Sequence, residues 1–196
     1  YFLITSLVES IDKYANTASV YGAFLKKLKK TAQNNLILKP AELIINYQDH
    51  EVFNEDVNKV AGKIKGDILY LDPPYNQRQY ATNYHMLETI AKYDNPKIHG
   101  KTGLREYQDQ KSLYCSRTQV KKAFKDLILK AKVKYIFLSY NNEGLMNLDD
   151  IKEIMSLRGK YGNFTKEYNR FKADKSENIN FTANKTIEYL HYVVCD

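Results

Sequence analysis

Asp72-Pro73-Pro74-Tyr75 brings a carboxylate, two prolines and an aromatic ring to the end of a short apolar run, Ile68-Leu69-Tyr70-Leu71. Proline has no backbone N–H and a fixed φ, so this turn is stiff and rich in acceptors. A stiff turn with a carboxylate, an open carbonyl and an aromatic face suits an amino group on a planar base. The ring stacks on Tyr75, while its NH2 donates to the Asp72 carboxylate and the Pro73 carbonyl. The plainer reading is a proline-rich turn with a capping aspartate, and four residues alone do not separate the two.

The elements around the turn decide whether it can act as a site. Residues 68–71 read as a buried parallel strand, and ligands of open α/β sheets sit beyond the carboxyl ends of such strands. Upstream, apolar spacing predicts a helix over residues 2–15 and a second, basic helix over 18–32. Short strands are expected at Leu36-Ile37-Leu38, Leu43-Ile44-Ile45 and 51–54. Asp56 then caps a helix running from Val57 to Ile64. Downstream, helices are expected over 83–93, 118–131 and 149–157, with a buried strand at 135–139. Residues 95–117 read as a long polar loop, a kind of segment that usually has a function. Two longer strands, 163–171 and 186–194, close the chain. Strands alternate with helices and then pair at the end, which predicts an α/β fold whose mixed sheet finishes in an antiparallel hairpin.

Composition narrows the partner. The 196 residues hold 30 Lys and Arg against 23 Asp and Glu, a net charge of +7. Residues 101–134 alone carry ten bases against three acids, so the rest of the chain is neutral. Concentrated positive charge suits a polyanion such as nucleic acid; a solvated basic face reads equally well from charge alone. Cys115 and Cys195 are too few for a disulfide scaffold and suit a reducing, cytoplasmic setting. His50, His85, His99 and His191 are scattered, so no metal site is expected. No run approaches the ~18–20 apolar residues of a membrane helix. The start, Tyr1-Phe2-Leu3-Ile4, has no basic leader, so no signal peptide is expected; with no initiator Met, residues upstream are expected to exist.

Asp72-Pro73-Pro74-Tyr75 behind a strand resembles motif IV of the amino-methyltransferases that use S-adenosyl-L-methionine. The Asp form resembles the adenine-N6 DNA enzymes; N4-cytosine enzymes more often begin the motif with Ser. Further stretches are similar to the methyltransferases of type II restriction–modification systems: Asn76 to Tyr80, Asn83 to Ala91, Gly100-Lys101-Thr102-Gly103, Leu138 to Gly144 and Asn16 to Lys26. The resemblance covers nearly the whole chain. It implies a Rossmann-like fold and S-adenosyl-L-methionine as cofactor, without a metal. The partner it implies is double-stranded DNA, with the adenine flipped into the site. Asp72, Pro73, Pro74 and Tyr75 would hold that adenine. Asp56 looks like the acid that contacts the cofactor's adenine, beside Asp72, and equally like a helix cap. Arg78, Tyr80 and Asn83 would touch DNA or close over the base. His85 is read rather as a packing histidine. Lys101, Arg105, Lys111 and Arg117 are candidate phosphate contacts. Ser139, Tyr140 and Asn141 either shape the pocket or turn the chain.

The chain departs from the family in one respect. The family's Phe-x-Gly-x-Gly cofactor loop has no counterpart, because the glycines at 22, 62, 66, 100, 103, 144, 159 and 162 form no Gly-x-Gly. In the alpha arrangement that loop precedes motif IV. The chain therefore reads as a C-terminal portion, with a fold that is incomplete and a strand at 68–71 that has an open edge. A missing N-terminal half or a second chain would complete it, and this portion alone would be inactive. Residues 1–50 would belong with target recognition and 51–196 with the catalytic domain. The competing expectation is a truncated or subunit-like product that only binds DNA or a partner half.

Overall fold

The computed structural model describes residues 1–17, 20–23, 25–169 and 185–196. The chain divides into two units, Glu51–Gln77 with Ser112–Asp196 and Tyr1–His50 with Arg78–Lys111.

The first unit is built on strands with period-two burial. In β4 (Tyr135–Asn141), Ile136, Leu138 and Tyr140 are buried while Tyr135 is exposed. β1 (Ile68–Leu71) lies parallel to β4, with Ile68 opposite Tyr135 and Leu71 opposite Leu138. β6 (Lys185–Cys195) pairs antiparallel with β4 on one side and with β5 (Gly159–Asn169) on the other. The sheet order is β1-β4-β6-β5, a mixed sheet in a mixed α/β unit. Helix α5 (Val120–Lys130) buries Val120, Ala123, Phe124, Leu127 and Ile128, a three-and-four spacing that forms one stripe. That stripe packs in one core cluster with Ile136, Leu138 and Val193 of the sheet and with Ile151 and Met155 of α6 (Leu148–Met155). A capping box at Asn147 and Asp150 starts α6. α2 (Val57–Val60) is a single turn, shorter than the helix expected to reach Ile64.

The second unit departs more from expectation. α1 (Phe2–Tyr14) forms as predicted. The basic helix over 18–32 does not: its described residues make turns and bends, with one 3-10 turn at Thr31–Gln33. Lys26, Lys27, Lys29 and Lys30 would stack like charges one turn apart. The Asn16 side chain also takes the Lys29 N–H and donates to the Leu25 carbonyl, displacing the helical ladder. The strands expected at 36–38, 43–45 and 51–54 are also absent, and Ile37, Ile44, Ile45 and Val52 are exposed. No described strand pairs with them; instead Ser10 and Ser6 of α1 accept the N–H groups of Lys39 and Ala41 at 3.0 and 2.8 Å. The single helix expected over 83–93 is two, α3 (Tyr80–Asn83) and α4 (His85–Lys92), broken at Tyr84. The expected loop holds a hairpin, β2 (Ile98–His99) with β3 (Leu104–Arg105), turned by Gly100 and Gly103 at φ +68. The last strands run longer than predicted, and residues 170–171 lie outside the described residues. Among the described residues no helix is long and apolar enough to cross a membrane.

Candidate functional site

The turn after β1 is anchored from behind. Tyr75 keeps its ring 43% exposed, while its carbonyl accepts the Leu145 N–H at 3.1 Å. The same N–H lies 3.0 Å from the hydroxyl of Tyr140, which also takes the Met146 N–H at 3.4 Å. Tyr140 is buried near the end of β4, the parallel neighbour of β1. Gly144 permits this approach, since a Cβ there would stand 2.0 Å from the Tyr140 ring. The two strand ends are therefore tied through one loop. Asn141 belongs to the same tie, accepting the Glu143 N–H at 3.1 Å, while Ser139 is half-buried. Tyr140 and Gly144 position the turn, a role the sequence marked only by placing them after a strand. Asp72 is exposed and Pro73 and Pro74 are half-buried, so the carboxylate, the carbonyls and the Tyr75 ring face outward together with a fixed backbone beneath them.

Beside the turn lies a cavity of about 290 Å³. Asp72 and Ser112 are on its polar side; Val57, Pro73, Phe124 and Leu127 give it apolar walls. Tyr114, also on the wall, donates its hydroxyl to Asn58 Oδ1 at 3.0 Å. Asn58 in turn donates to the Ala123 carbonyl and to Asp126, both at 2.8 Å. Burial pushes the Tyr114 phenol up, so it stays a neutral donor. The hydrogen bond from Asn58, then Lys130, holds the Asp126 carboxyl below its usual range. Apolar walls with one carboxylate at the rim fit a flat heteroaromatic ring. They fit the adenine of S-adenosyl-L-methionine; with no Gly-x-Gly in the chain, its charged amino-acid tail would need other residues.

The remaining candidates are spread over both units. Asp56 caps α2 by accepting the Asn58 N–H at 2.9 Å, one residue before the cavity-lining Val57. Arg78 and Tyr80 are exposed and Asn83 is half-buried in the other unit, where the Tyr80 and Tyr84 rings lie 5.8 Å apart. His85 is fully buried and bonds the Tyr21 carbonyl at 3.1 Å through Nε2, a packing role. Lys101, Lys111 and Arg117 are exposed, with Lys111 over the Tyr107 ring at 5.7 Å. Arg105, expected to face phosphate, is turned inward instead. It is 8% exposed and grips Asp94 through two nitrogens at 3.1 and 2.5 Å. Its alternation in β3 puts it on the inner side, and an acid within reach makes that burial tolerable. Among the described residues no group of three or more His, Cys, Asp or Glu stands ready to hold a metal ion.

Residues 1–154 match the family model described as D12 class N6 adenine-specific DNA methyltransferase. The chain is 56% identical over 191 residues to the type II methyltransferase M.NlaIII of Neisseria lactamica, covering 97% of this chain and 57% of that protein. It is 40% identical to the type II methyltransferase M.FokI of Planomicrobium okeanokoites, over all of this chain and 30% of that protein. It is 38% identical to the type II methyltransferase M.CviAII of Paramecium bursaria Chlorella virus 1, over 98% of this chain and 56% of that one. The chain thus spans little more than half the length of these relatives, or less. No solved structure matches it.

Proposed function

Because the chain belongs to the D12 class N6 adenine-specific DNA methyltransferases, we propose that it carries the base-holding part of an enzyme that methylates N6 of adenine at a specific site in duplex DNA. Its relatives' names support a place in a restriction–modification system, acting in the cytoplasm. The observation that carries this reading is the anchored Asp72–Tyr75 turn at the carboxyl end of a parallel strand, beside an apolar cavity.

The adenine leaves the duplex and stacks on the exposed ring of Tyr75. Asp72 and the Pro73 carbonyl accept hydrogen bonds from its amino group. Those bonds draw the nitrogen out of conjugation with the ring and aim its lone pair. S-adenosyl-L-methionine, when bound, supplies an electrophilic methyl group on a sulfonium. No covalent intermediate on the protein is needed, so the protein's part is positioning and electrostatics. The Asp72 carboxylate is the acceptor this turn offers for the proton that the amino group gives up. The cavity walled by Val57 and Phe124 takes the cofactor's adenine, with Asp56 at its edge. Arg78, Tyr80 and Asn83 contact the target DNA, and Lys101, Lys111 and Arg117 contact phosphate.

The mixed sheet is read as part of a Rossmann-like fold. β1 pairs with β4 alone among the described strands, and Ile68 and Tyr70 are 62% and 60% exposed. An apolar strand with one open side supports completion by a further segment, in the same polypeptide or a second chain, that brings the cofactor loop. In this reading residues 1–50 serve target recognition and residues 51–196 form the C-terminal part of the catalytic domain. The test is calorimetric titration of these 196 residues with S-adenosyl-L-methionine, with and without unmethylated duplex. The expected result is no tight binding in either case; tight one-to-one binding would sink the incomplete-site reading. Methyl transfer to adenine is tested separately, on the full-length protein.

A further inference from the structure

In the unit formed by Tyr1–His50 and Arg78–Lys111, a cavity of about 390 Å³ opens between three separate stretches of chain: residues 20–23, helix α3 with the residue leading into it, and the β2–β3 hairpin. Arg78, Thr82, Asn83 and Thr102 give it polar groups, and Gly22 gives it bare backbone. Its wall is rigid. Tyr21 is buried, and its N–H donates to the Asn83 carbonyl at 2.6 Å. The Tyr21 hydroxyl donates to Asp12 of α1 at 3.1 Å, and the buried His85 bonds the Tyr21 carbonyl. Burial and Asp12 together push the Tyr21 phenol up to about 12, so this bond persists across the working pH range. Thr82 spends its hydroxyl on the Gln79 carbonyl at 2.8 Å, so it shapes the cavity rather than addressing a ligand.

Arginine and asparagine are the two side chains whose paired polar atoms match the major-groove edge of a purine. Arg donates twice to guanine O6 and N7; Asn pairs with adenine N6 and N7. Here both line one small cavity. Its volume suits a single ring system rather than an extended ligand. A phosphate contact would need no cavity at all, since lysines on an open surface serve that purpose. The geometry points to this cavity as the reader of one purine of the DNA recognition sequence, gripped by its edge through Arg78 and Asn83. This inference rests on the reading of duplex DNA as the substrate.

The test uses the full-length protein and a randomised duplex library. Bound duplexes are sequenced, and methylation is scored separately on the same pool. The parent is expected to enrich a motif with at least one fixed purine. Arg78→Lys keeps the charge and loses the fork. It should relax the motif at one purine position, where a good bidentate contact gives roughly 10- to 100-fold discrimination, while total binding changes far less. Relaxation at guanine assigns the base to Arg78; relaxation at adenine in Asn83→Ala assigns it to Asn83. Gly22→Leu fills the cavity without altering either side chain. A Cβ at that position meets the Thr82 carbonyl at an ordinary 3.6 Å, so the variant folds. It should relax the same position. A parent that selects no motif, variants that keep the motif unchanged, or a uniform loss across all sequences would each overturn the inference. A motif that shifts as expected in a protein that does not methylate adenine would strike the proposed reaction and leave the reader standing.

Discussion

At the scale of single residues, the turn assigns work that substitutions can read. Asp72→Ala in the full-length protein should lower methyl transfer by about 10²- to 10³-fold or more, the usual cost of losing an oriented polar group at the reacting centre. Non-specific DNA binding should hold, so a variant that binds and still transfers would remove Asp72 from its role. Tyr75→Ala should weaken capture of the flipped base by about 1–3 kcal/mol, the range for one aromatic–base stack; a fluorescent base analogue at the target position reports it directly. Gly144→Ala touches neither group, yet its Cβ would stand 2.0 Å from the Tyr140 ring. It should push Tyr140 from the Leu145 N–H and loosen the turn, lowering turnover with little effect on DNA affinity. Arg105 makes the contrasting case. With its guanidinium gripping Asp94 and holding that carboxyl below its usual range, Arg105→Ala should lower the thermal midpoint and leave the salt dependence of DNA binding unchanged.

At the scale of elements, legibility followed self-sufficiency. β1, β4 and α5 each carry their own burial pattern: an unbroken apolar run, a period of two, a stripe at three and four. Each formed where the sequence placed it. Residues 36–38 and 43–45 are just as apolar, but a strand needs a neighbour, and their N–H donors at Lys39 and Ala41 found α1 serines instead. The lysine-rich stretch failed as a helix because Asn16 offered its backbone another set of bonds. In the site, the turn was legible from its residue types alone. The cavity beside it was not, because Val57, Ser112 and Phe124 meet only through the fold. β6 hides one further consequence. His191 is fully buried, bonded through Nδ1 to the Tyr161 hydroxyl at 2.8 Å, and burial lowers its pKa from 6.5 to about 4. Between those values the unfolded chain binds the extra proton, so stability is full above pH 6.5 and falls as pH drops toward 4. The loss should amount to roughly 2–4 kcal/mol, read as a falling urea midpoint between about pH 7 and about pH 4.5. His191→Gln should remove that slope; an unchanged slope would assign it to other groups.

At the scale of the whole molecule, charge and family membership point to the same partner. Within the basic segment 101–134, several bases are already held in ion pairs: Arg105 with Asp94, Lys121 with Asp150, Lys130 with Asp126 and Lys134 with Asp67. Lys101, Lys111 and Arg117 are exposed and are the candidates for phosphate. Replacing all three with Ala should flatten the plot of log affinity against log salt by about 0.9 for each phosphate those side chains neutralise. A slope that does not change would turn them away from DNA. The central claim is that the turn at Asp72 holds an adenine for methylation. Its most direct test incubates the full-length protein with S-adenosyl-L-methionine and unmethylated duplex, digests the DNA to nucleosides and measures N6-methyladenine by mass spectrometry. The account predicts N6-methyladenine from the parent and almost none from Asp72→Ala. A methylated cytosine in its place, or equal N6-methyladenine from both proteins, would contradict it.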